Sequence, residues 1–281
     1  MGHVMRYVGD KMIYGLDFYV SSIDDNETKF WLQYKNDNRR LIVDFFDEID
    51  LGLPKESHSM TENSFGIISF YGRAEYGTRT ITLQTHWAKD TDGGIISRRR
   101  NFLIDFFTGK TEKLYFYMYI PQKMRRFRVE VKPSITGEKY KNFVIAENIS
   151  ITLTCASVYF ESETYSQTVM RVNSDAETPL IVNNEGYETS FVLQIIPDED
   201  FSEFQLSNSA GGAFRIITPG GWTAGSVIEV DTGTTSITVD GVEQRFGLNR
   251  GTYFSLMQGE NTLYFQGGKS QIKILYREKV K

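Results

Sequence analysis

Apolar and polar residues alternate in several stretches of the chain, a pattern that predicts β-strands with one buried face. In residues 79–87 the positions on the apolar side are Ile81, Leu83, Thr85 and Trp87. In residues 149–160 they are Ile149, Ile151, Leu153 and Cys155. Aromatic and β-branched residues dominate five further predicted strands, at residues 14–20, 30–34, 65–71, 114–119 and 127–132. This part of the chain is therefore predicted to be mainly β, with Cys155 in its core.

One helix is predicted here, over residues 93–108, because Asp92 can cap its start and Gly109 can end it. At about 100° per residue, Arg99 falls in the middle of an apolar stripe formed by Ile95, Phe102, Leu103 and Phe106. Two interpretations are open. Either the guanidinium snorkels or is paired inside its own domain, or Arg99 contacts a neighbouring subunit.

The rest of the chain has shorter β-rich runs and 13 of the 24 glycines, which predicts a sandwich or barrel of short strands. A hairpin is expected over residues 235–246, because Asp240-Gly241 tolerates the two positive φ angles of a type I′ turn. Further strands are predicted at residues 190–196, 213–218, 226–231, 253–257, 261–266 and 270–277. Because a long alternating strand ends near residues 161–164, two domains are expected, 1–162 and 163–281.

The charge balance argues against tight binding to nucleic acid or to an anionic membrane, since 31 Lys and Arg face 36 Asp and Glu. Residues 1–162 carry a net charge of +1 and residues 163–281 of −6. No apolar run approaches the roughly 18–20 residues of a transmembrane helix, and four charged residues interrupt the first 20 positions. We therefore expect synthesis in the cytoplasm, no membrane insertion and no sequence-specific nucleic-acid binding.

Residue types that carry chemistry are sparse. Cys155 is the only cysteine, and the three histidines, His3, His58 and His86, are too scattered for a metal site or a triad. Phosphate-binding glycine motifs and a nucleophile elbow are absent from the sequence. Acidic clusters such as residues 44–50 and 198–203 are interpreted as solvated faces. No catalytic residue, cofactor or metal ligand is assigned.

Two other features are candidates for binding. Residues 123–128 are basic and contain Arg125 and Arg126, which together with Arg99 are candidate inter-subunit contacts. Trp222 follows a glycine pair and is a candidate for stacking on a sugar ring, although a purely structural role is the simpler interpretation.

Four pieces of the second domain, in order, resemble the C-terminal domain of distal tail proteins (Dit) from phages with long, flexible, non-contractile tails. They are the strand at residues 225–233, the hairpin around Asp240-Gly241, the turn at residues 256–263 and the closing strand at residues 270–277. In the third piece, Gln258 replaces a proline that is common in the family, while Gly259 and Asn261 are retained. The first domain is similar in outline, with Ala156-Ser157 where the family often has Asp-Pro.

The resemblance implies a mainly β protein, with an N-terminal ring-forming, β-barrel-like domain containing one helix and a C-terminal galectin-like β-sandwich. It also implies a homo-hexameric ring with a central channel for DNA, located at the distal end of the tail in the virion. Its partners would be the major tail (tube) protein, the tail-tip or tail-associated lysin protein, and receptor-binding proteins. Neither catalysis nor a cofactor is implied.

Three alternatives stay open at this point. A carbohydrate-binding module would use Trp222 to hold a host cell-wall glycan. A hydrolase would need two unassigned carboxylates to converge in a cleft. A related tail or baseplate β-protein would assemble with a different stoichiometry, because sandwich architecture alone says little about function.

Overall fold

The computed structural model describes residues 5–8, 11–14, 18–22, 30–31, 46–53, 56–62, 68–85, 101, 104, 107–108, 113–141, 145–173, 176–244 and 250–281. The chain divides into two compact units. The N-terminal unit is Met1–Phe160 with Lys281, and the C-terminal unit is Glu161–Val280. Both consist almost entirely of antiparallel strands in their described parts, so the predicted mainly β fold is confirmed.

Eleven strands lie in the N-terminal unit's described residues. They are β1 (Met5–Val8), β2 (Lys11–Tyr14), β3 (Phe18–Ser22), β4 (Phe30–Trp31), β5 (Phe46–Asp50), β6 (Glu56–Glu62), β7 (Ile68–Tyr76), β8 (Thr80–Thr85), β9 (Leu114–Ile120), β10 (Arg125–Lys141) and β11 (Ile145–Cys155). Seven of them form one sheet in the order β4-β3-β9-β10-β11-β8-β5, and β1-β2 and β6-β7 are separate hairpins. Of the strand predicted over residues 14–20, residues 18–20 lie in β3, whereas Tyr14 is the last residue of β2 in a separate hairpin.

One face of this sheet is apolar and buried, as the alternation predicts. The pairs Ile151↔Leu83 and Leu153↔Ile81 across β11 and β8 are fully buried, and Cys155 is 5% exposed. On the opposite face the same strands carry hydroxyl side chains, where Thr152 donates to the Thr136 hydroxyl at 3.2 Å. The predicted burial of Cys155 in a core is thus confirmed.

The remaining strands follow in chain order, and all lie in the C-terminal unit except the first residue of β12, Phe160. They are β12 (Phe160–Ser162), β13 (Ser166–Val172), β14 (Thr178–Asn184), β15 (Phe191–Pro197), β16 (Phe201–Asn208), β17 (Ala213–Trp222), β18 (Ile228–Asp231), β19 (Ser236–Val239), β20 (Val242–Glu243), β21 (Arg250–Gly251), β22 (Gly259–Gln266), β23 (Ser270–Tyr276) and β24 (Lys279–Val280).

Two antiparallel sheets of this unit enclose one core. The six-stranded sheet has the order β13-β23-β15-β18-β19-β20, and the five-stranded sheet has the order β14-β22-β16-β17-β21. Leu193 and Ile274 of the first sheet are fully buried in the same cluster as Leu206 and Leu263 of the second. A sandwich is the result, because each strand turns alternate apolar residues toward the other sheet.

The hairpin predicted around Asp240-Gly241 is present. Val239 pairs with Val242, which leaves a two-residue turn, and φ is 50° at Asp240 and 77° at Gly241. A type I′ turn needs positive φ at both positions. The strand predicted over residues 253–257 is wrong, however. This segment is irregular apart from a single bridge between Leu256 and Thr189.

Candidate functional site

The candidate contacts Arg125 and Arg126 lie at the tip of the hairpin formed by β9 and β10. A short 3-10 turn, Pro121–Lys123, connects the two strands, and the first pair of the ladder joins Arg125 to Ile120. Met124 sits at the turn with φ of 50° and is 76% exposed. The tip therefore presents a large apolar side chain beside the exposed Arg125.

Behind the tip, one face of the hairpin carries a row of aromatic and cationic side chains. Arg126 pairs with Tyr119 and Arg128 with Tyr117 in the ladder, and the Arg128 guanidinium lies 4.9 Å from the centre of the Tyr115 ring. We call Tyr115, Tyr117, Tyr119, Arg126 and Arg128 the tyrosine–arginine strip. Its aromatic members were missed by the sequence analysis, although they alternate regularly in the predicted strand at residues 114–119.

Glu130 organises the end of the strip away from the tip. Its carboxylate accepts hydrogen bonds from Lys113 Nζ at 3.0 Å and from the Tyr115 hydroxyl at 3.5 Å. The hydrogen bond and charge of Glu130 raise the pKa of Lys113. Burial raises the pKa of Tyr115, and the charge of Glu130 adds to that effect. Lys113 is therefore charged and Tyr115 neutral at physiological pH.

The strip has the residue types of a protein interface. Tyrosine and arginine are enriched at such surfaces because each combines a large contact area with hydrogen-bonding groups. Cation–π contact also holds an arginine in a fixed position before a partner arrives. The arrangement has the chemistry to bind a protein surface.

Arg99 lies outside the described residues, so its place in an interface stays a prediction. Four positions of the predicted helix are described, of which Asn101, Ile104 and Phe107 are helical and Thr108 lies in a bend. The amide of Thr108 donates to the Ile104 carbonyl at 2.7 Å, and Phe107 is 3% exposed. The end of the helix therefore packs into the unit.

Trp222, the candidate sugar contact, is buried inside the sandwich at 3% exposure. Its ring centre lies 5.4 Å from that of Phe201 and 5.3 Å from that of Phe204. A sugar ring stacks on an accessible aromatic face, and these neighbours cover the indole. The geometry thus favours the structural interpretation of Trp222.

The retained Gly259 and Asn261 shape one turn of the C-terminal unit. Gly259 has φ of 94°, in the region that favours glycine. The Asn261 side chain accepts from the Met257 amide at 2.8 Å and donates to the carbonyls of Met257 and Gly259 at 2.8 and 3.0 Å. These two residues close the turn in this chain, which has Gln258 where proline is common in the family.

Within the described ranges there is no group of three His, Cys, Asp or Glu residues that could hold a metal ion. Burial raises the pKa of the Cys155 thiol to about 11, which makes it a poor nucleophile at neutral pH. Helices capable of spanning a membrane are also absent from this part of the chain.

Comparison with known proteins identifies the C-terminal unit. Residues 186–279 match the family model described as "Siphovirus-type tail component, C-terminal domain" (SPP1_Dit). The crystal structure of the Dit (gp 19.1) protein of phage SPP1 matches with a TM-score of 0.66 and 13% identity, over 94% of this chain and 99% of that one. The predicted resemblance to distal tail proteins is confirmed. The matched residues contain the four pieces on which it was based.

Two structures of the phage p2 baseplate in its activated conformation also match, both at 10% identity. The one with Sr has a TM-score of 0.49 and covers 95% of this chain and 98% of that chain. The one with Ca has a TM-score of 0.42 and covers 93% and 98%. No curated protein is significantly similar in sequence.

Proposed function

We propose that the chain is the structural hub of a phage tail tip, joining the tail tube to the host-adsorption proteins. The match of residues 186–279 to a siphovirus-type tail component carries this proposal. The SPP1 Dit protein, whose fold the chain shares, is described as a paradigm of the hub of the adsorption apparatus in phages that infect Gram-positive bacteria. The role is structural, and the chain would work in the virion after synthesis in the host cytoplasm.

The N-terminal residues 1–162 would close into a ring of six copies around a channel that passes DNA. A ring needs one surface of each copy to bind a different surface of the next, at a fixed rotation. The exposed tip with Met124 and Arg125 and the partly exposed members of the tyrosine–arginine strip would supply apolar area and charge for such a contact, whereas Tyr117 is only 5% exposed. Arg99 is a further candidate for the same interface.

Residues 163–281 would form a galectin-like sandwich that projects from the ring. Its sandwich core is complete within the unit, as the single buried cluster between its sheets shows. The partners would be the major tail tube protein on one side and the tail-tip or tail-associated lysin protein on the other. Receptor-binding proteins would attach at the same end of the tail.

Imaging and mass measurement test this proposal together. We expect a six-fold ring with a central hole in negative-stain images, and a light-scattering mass near six times 32.3 kDa over a range of concentrations. A monomer that stays monomeric when mixed with the tail tube and tip proteins would contradict the proposal. A ring of a different copy number would favour a related baseplate protein instead.

The charge reversal Arg125→Glu with Arg126→Glu tests the interface. If the hairpin tip lies between subunits, this double variant is expected to shift the chain from ring to monomer while each unit stays folded. Arg171→Glu is the matched control, because Arg171 is an exposed arginine of the C-terminal unit whose side chain is 63% exposed. Rings of unchanged stability in the double variant would exclude the tip from the interface.

The carbohydrate-binding alternative does not gain support from Trp222, since its ring is covered by Phe201 and Phe204. The hydrolase alternative gains none from the acidic cluster at residues 198–203, because Asp198, Glu199 and Glu203 form ion pairs with Arg171, Lys269 and Arg215. The structural role is therefore the function that the geometry supports best.

A further inference from the structure

A polar cleft of about 530 Å³ opens on the five-stranded sheet, where β16, β17 and β22 lie side by side. It faces away from the sandwich core, because Phe204 and Leu206 of β16 point inward while Glu203 and Gln205 point outward. Its volume falls in the range of about 300–1,000 Å³ that is typical of small-ligand sites. The cleft lies wholly within the C-terminal unit.

Two side-chain amides stand next to each other in this cleft. Gln205 of β16 pairs directly with Gln266 of β22 in the ladder, so the two side chains share one face at neighbouring positions. Neither amide makes a hydrogen bond with the described part of the chain. Gln194, on the other sheet, differs in that its amide donates to Glu229 at 2.9 Å.

The charged groups of the cleft are already engaged. Arg215 donates to the Glu203 carboxylate in an ion pair. Asp200 accepts from the Ala224 amide at 2.8 Å, and Glu199 accepts from Lys269 Nζ at 3.4 Å. The two glutamine amides, each of which can both donate and accept, and the Ser202 hydroxyl are therefore the uncharged hydrogen-bonding groups that line the cleft.

Backbone forms one wall of the cleft at Gly267 and Gly268. A Cβ at Gly267 would come within 2.8 Å of the Phe265 ring, and one at Gly268 within 2.8 Å of the Phe201 ring. Side chains larger than hydrogen are therefore excluded from both positions. Backbone beside Gln266 therefore lines this side of the cleft.

We propose that this cleft binds an uncharged or amino-sugar oligosaccharide, whose neighbouring hydroxyl groups pair with the amides of Gln205 and Gln266. A hydroxyl group is both donor and acceptor, as is the amide that faces it. Three lining carboxylates, Glu199, Asp200 and Glu203, outnumber the single Arg215, which disfavours a polyanionic glycan such as one carrying phosphate. The inference goes beyond the structural hub and does not depend on ring formation.

The experiment uses the full chain on an array of uncharged, amino-sugar and phosphate-bearing oligosaccharides. The strongest uncharged or amino-sugar binder is then titrated by saturation-transfer difference NMR, which detects weak ligands on a large assembly. Loss of the two amides in Gln205→Ala with Gln266→Ala is expected to weaken binding about tenfold or more. Gln167→Ala, at an exposed position of β13 in the other sheet, is the matched control and is expected to leave binding unchanged.

Three results would overturn the proposal. They are no binding to any uncharged or amino-sugar oligosaccharide, binding restricted to phosphate-bearing ones, and binding that the double variant leaves unchanged. Circular dichroism melting checks that the double variant is folded. If it is not, the exposed Gln266→Ala alone serves, with an expected loss of about threefold in affinity. Ring formation in the same samples is read independently, so failure of the site and failure of the hub proposal are distinguishable.

Discussion

Among the arginines that lie over aromatic rings in the described residues, Arg277 and Arg79 belong to different units and differ in their hydrogen bonding. Arg277 of the C-terminal unit lies 4.1 Å from the centre of the Tyr165 ring and donates through one nitrogen to the carbonyls of Ser162 and Glu163. Arg79 of the N-terminal unit lies 4.8 Å from the centre of the Phe160 ring. Its Nε and Nη1 atoms are buried and have no hydrogen-bond partner among the described residues.

A buried guanidinium stabilises the folded state only when its N–H groups donate to hydrogen-bond acceptors. Arg277 replaces the water that two backbone carbonyls would otherwise bind, and it fixes the start of its unit against the last strands. Arg79 is 3% exposed, and burial lowers the pKa of its guanidinium. The lowered pKa means that the folded state disfavours the charge that Arg79 carries. One arginine therefore supports its fold, while the other is a cost to it.

The largest expected effect is that of Arg277→Met. The substitution keeps an unbranched apolar stem over Tyr165 but leaves the carbonyls of Ser162 and Glu163 without their donor. Hydrogen bonds from charged donors contribute about 1.5–3 kcal/mol, and partial exposure of the site lowers this figure. We expect the free energy of unfolding in urea to fall by about 1–2 kcal/mol.

Arg171→Met is the matched control for that experiment. Arg171 also donates to an acceptor, the Asp198 carboxylate at 2.9 and 3.0 Å, but its side chain is 63% exposed. Exposed ion pairs contribute less than about 1 kcal/mol, so the control is expected to unfold almost as the unchanged protein does. Equal losses in the two variants would show that the carbonyl contacts of Arg277 are not what stabilises the unit.

The next variant is Arg79→Met. Unlike Arg277→Met, it is expected to leave the free energy of unfolding almost unchanged or to raise it. Removing an unmatched buried charge relieves desolvation, while the lost cation–π contact offsets part of the gain. We expect the free energy of unfolding to stay within about 1 kcal/mol of the unchanged protein or to rise. A loss of more than about 2 kcal/mol would mean that the Arg79 guanidinium has hydrogen-bond acceptors in the folded protein. Arg79 and Arg277 would then not differ in the way described.

The burial of Arg79 was predictable from the alternation of residues along its strand. It stands two residues before Ile81 and four before Leu83, so strict alternation places it on the buried face of β8. The sequence analysis began this predicted strand at residue 79 but did not include Arg79 among the positions on its apolar face, and it singled out Arg99 instead. The signal was present, but charged residues at strand ends are commonly assigned to solvent.

Strand existence was predictable where alternation is regular and local. The buried sides of β8 and β11 and the hairpin at Asp240-Gly241 follow from residues close together in the chain. The pairings of β13 with β23 and of β14 with β22 do not, because each joins the start of the unit to its end. Strand partners that are distant in sequence are determined by packing and register in the folded protein. The alternation within one strand does not indicate which strand will pair with it.

The candidate site divides in the same way. Arg125 and Arg126 were predictable from a run of basic residues, and they do share the hairpin end with an exposed Met124. The adjacency of Gln205 and Gln266 was not predictable, because the register of β16 against β22 alone creates it. Trp222 looked accessible after a glycine pair, yet two phenylalanines cover it.

The effect that is smallest at neutral pH concerns Cys155, whose amide donates to the Arg79 carbonyl at 3.0 Å. Burial raises the pKa of this thiol from the ordinary 9.0 to about 11, and the charge of Arg79 opposes part of that rise. Between those two pH values the thiol ionises in the unfolded chain and stays protonated in the folded one. The unfolded state then binds fewer protons, so stability falls as pH rises through this window.

Urea unfolding at pH about 8, 9 and 10 measures that slope. Cys155→Ala removes the thiol, so stability is expected to decline less steeply with pH than in the unchanged protein. The small cavity left by the substitution lowers stability by the same amount at every pH and does not change the slope. Tyrosine ionisation contributes equally to both proteins and cancels in the difference. In Arg79→Met the decline is expected to be steeper or to extend to higher pH, because the cation that favours the thiolate is gone. If stability declined with pH at the same rate in all three proteins, the charge of Arg79 would have no effect on the ionisation of Cys155. The surroundings of Arg79 would then screen its charge.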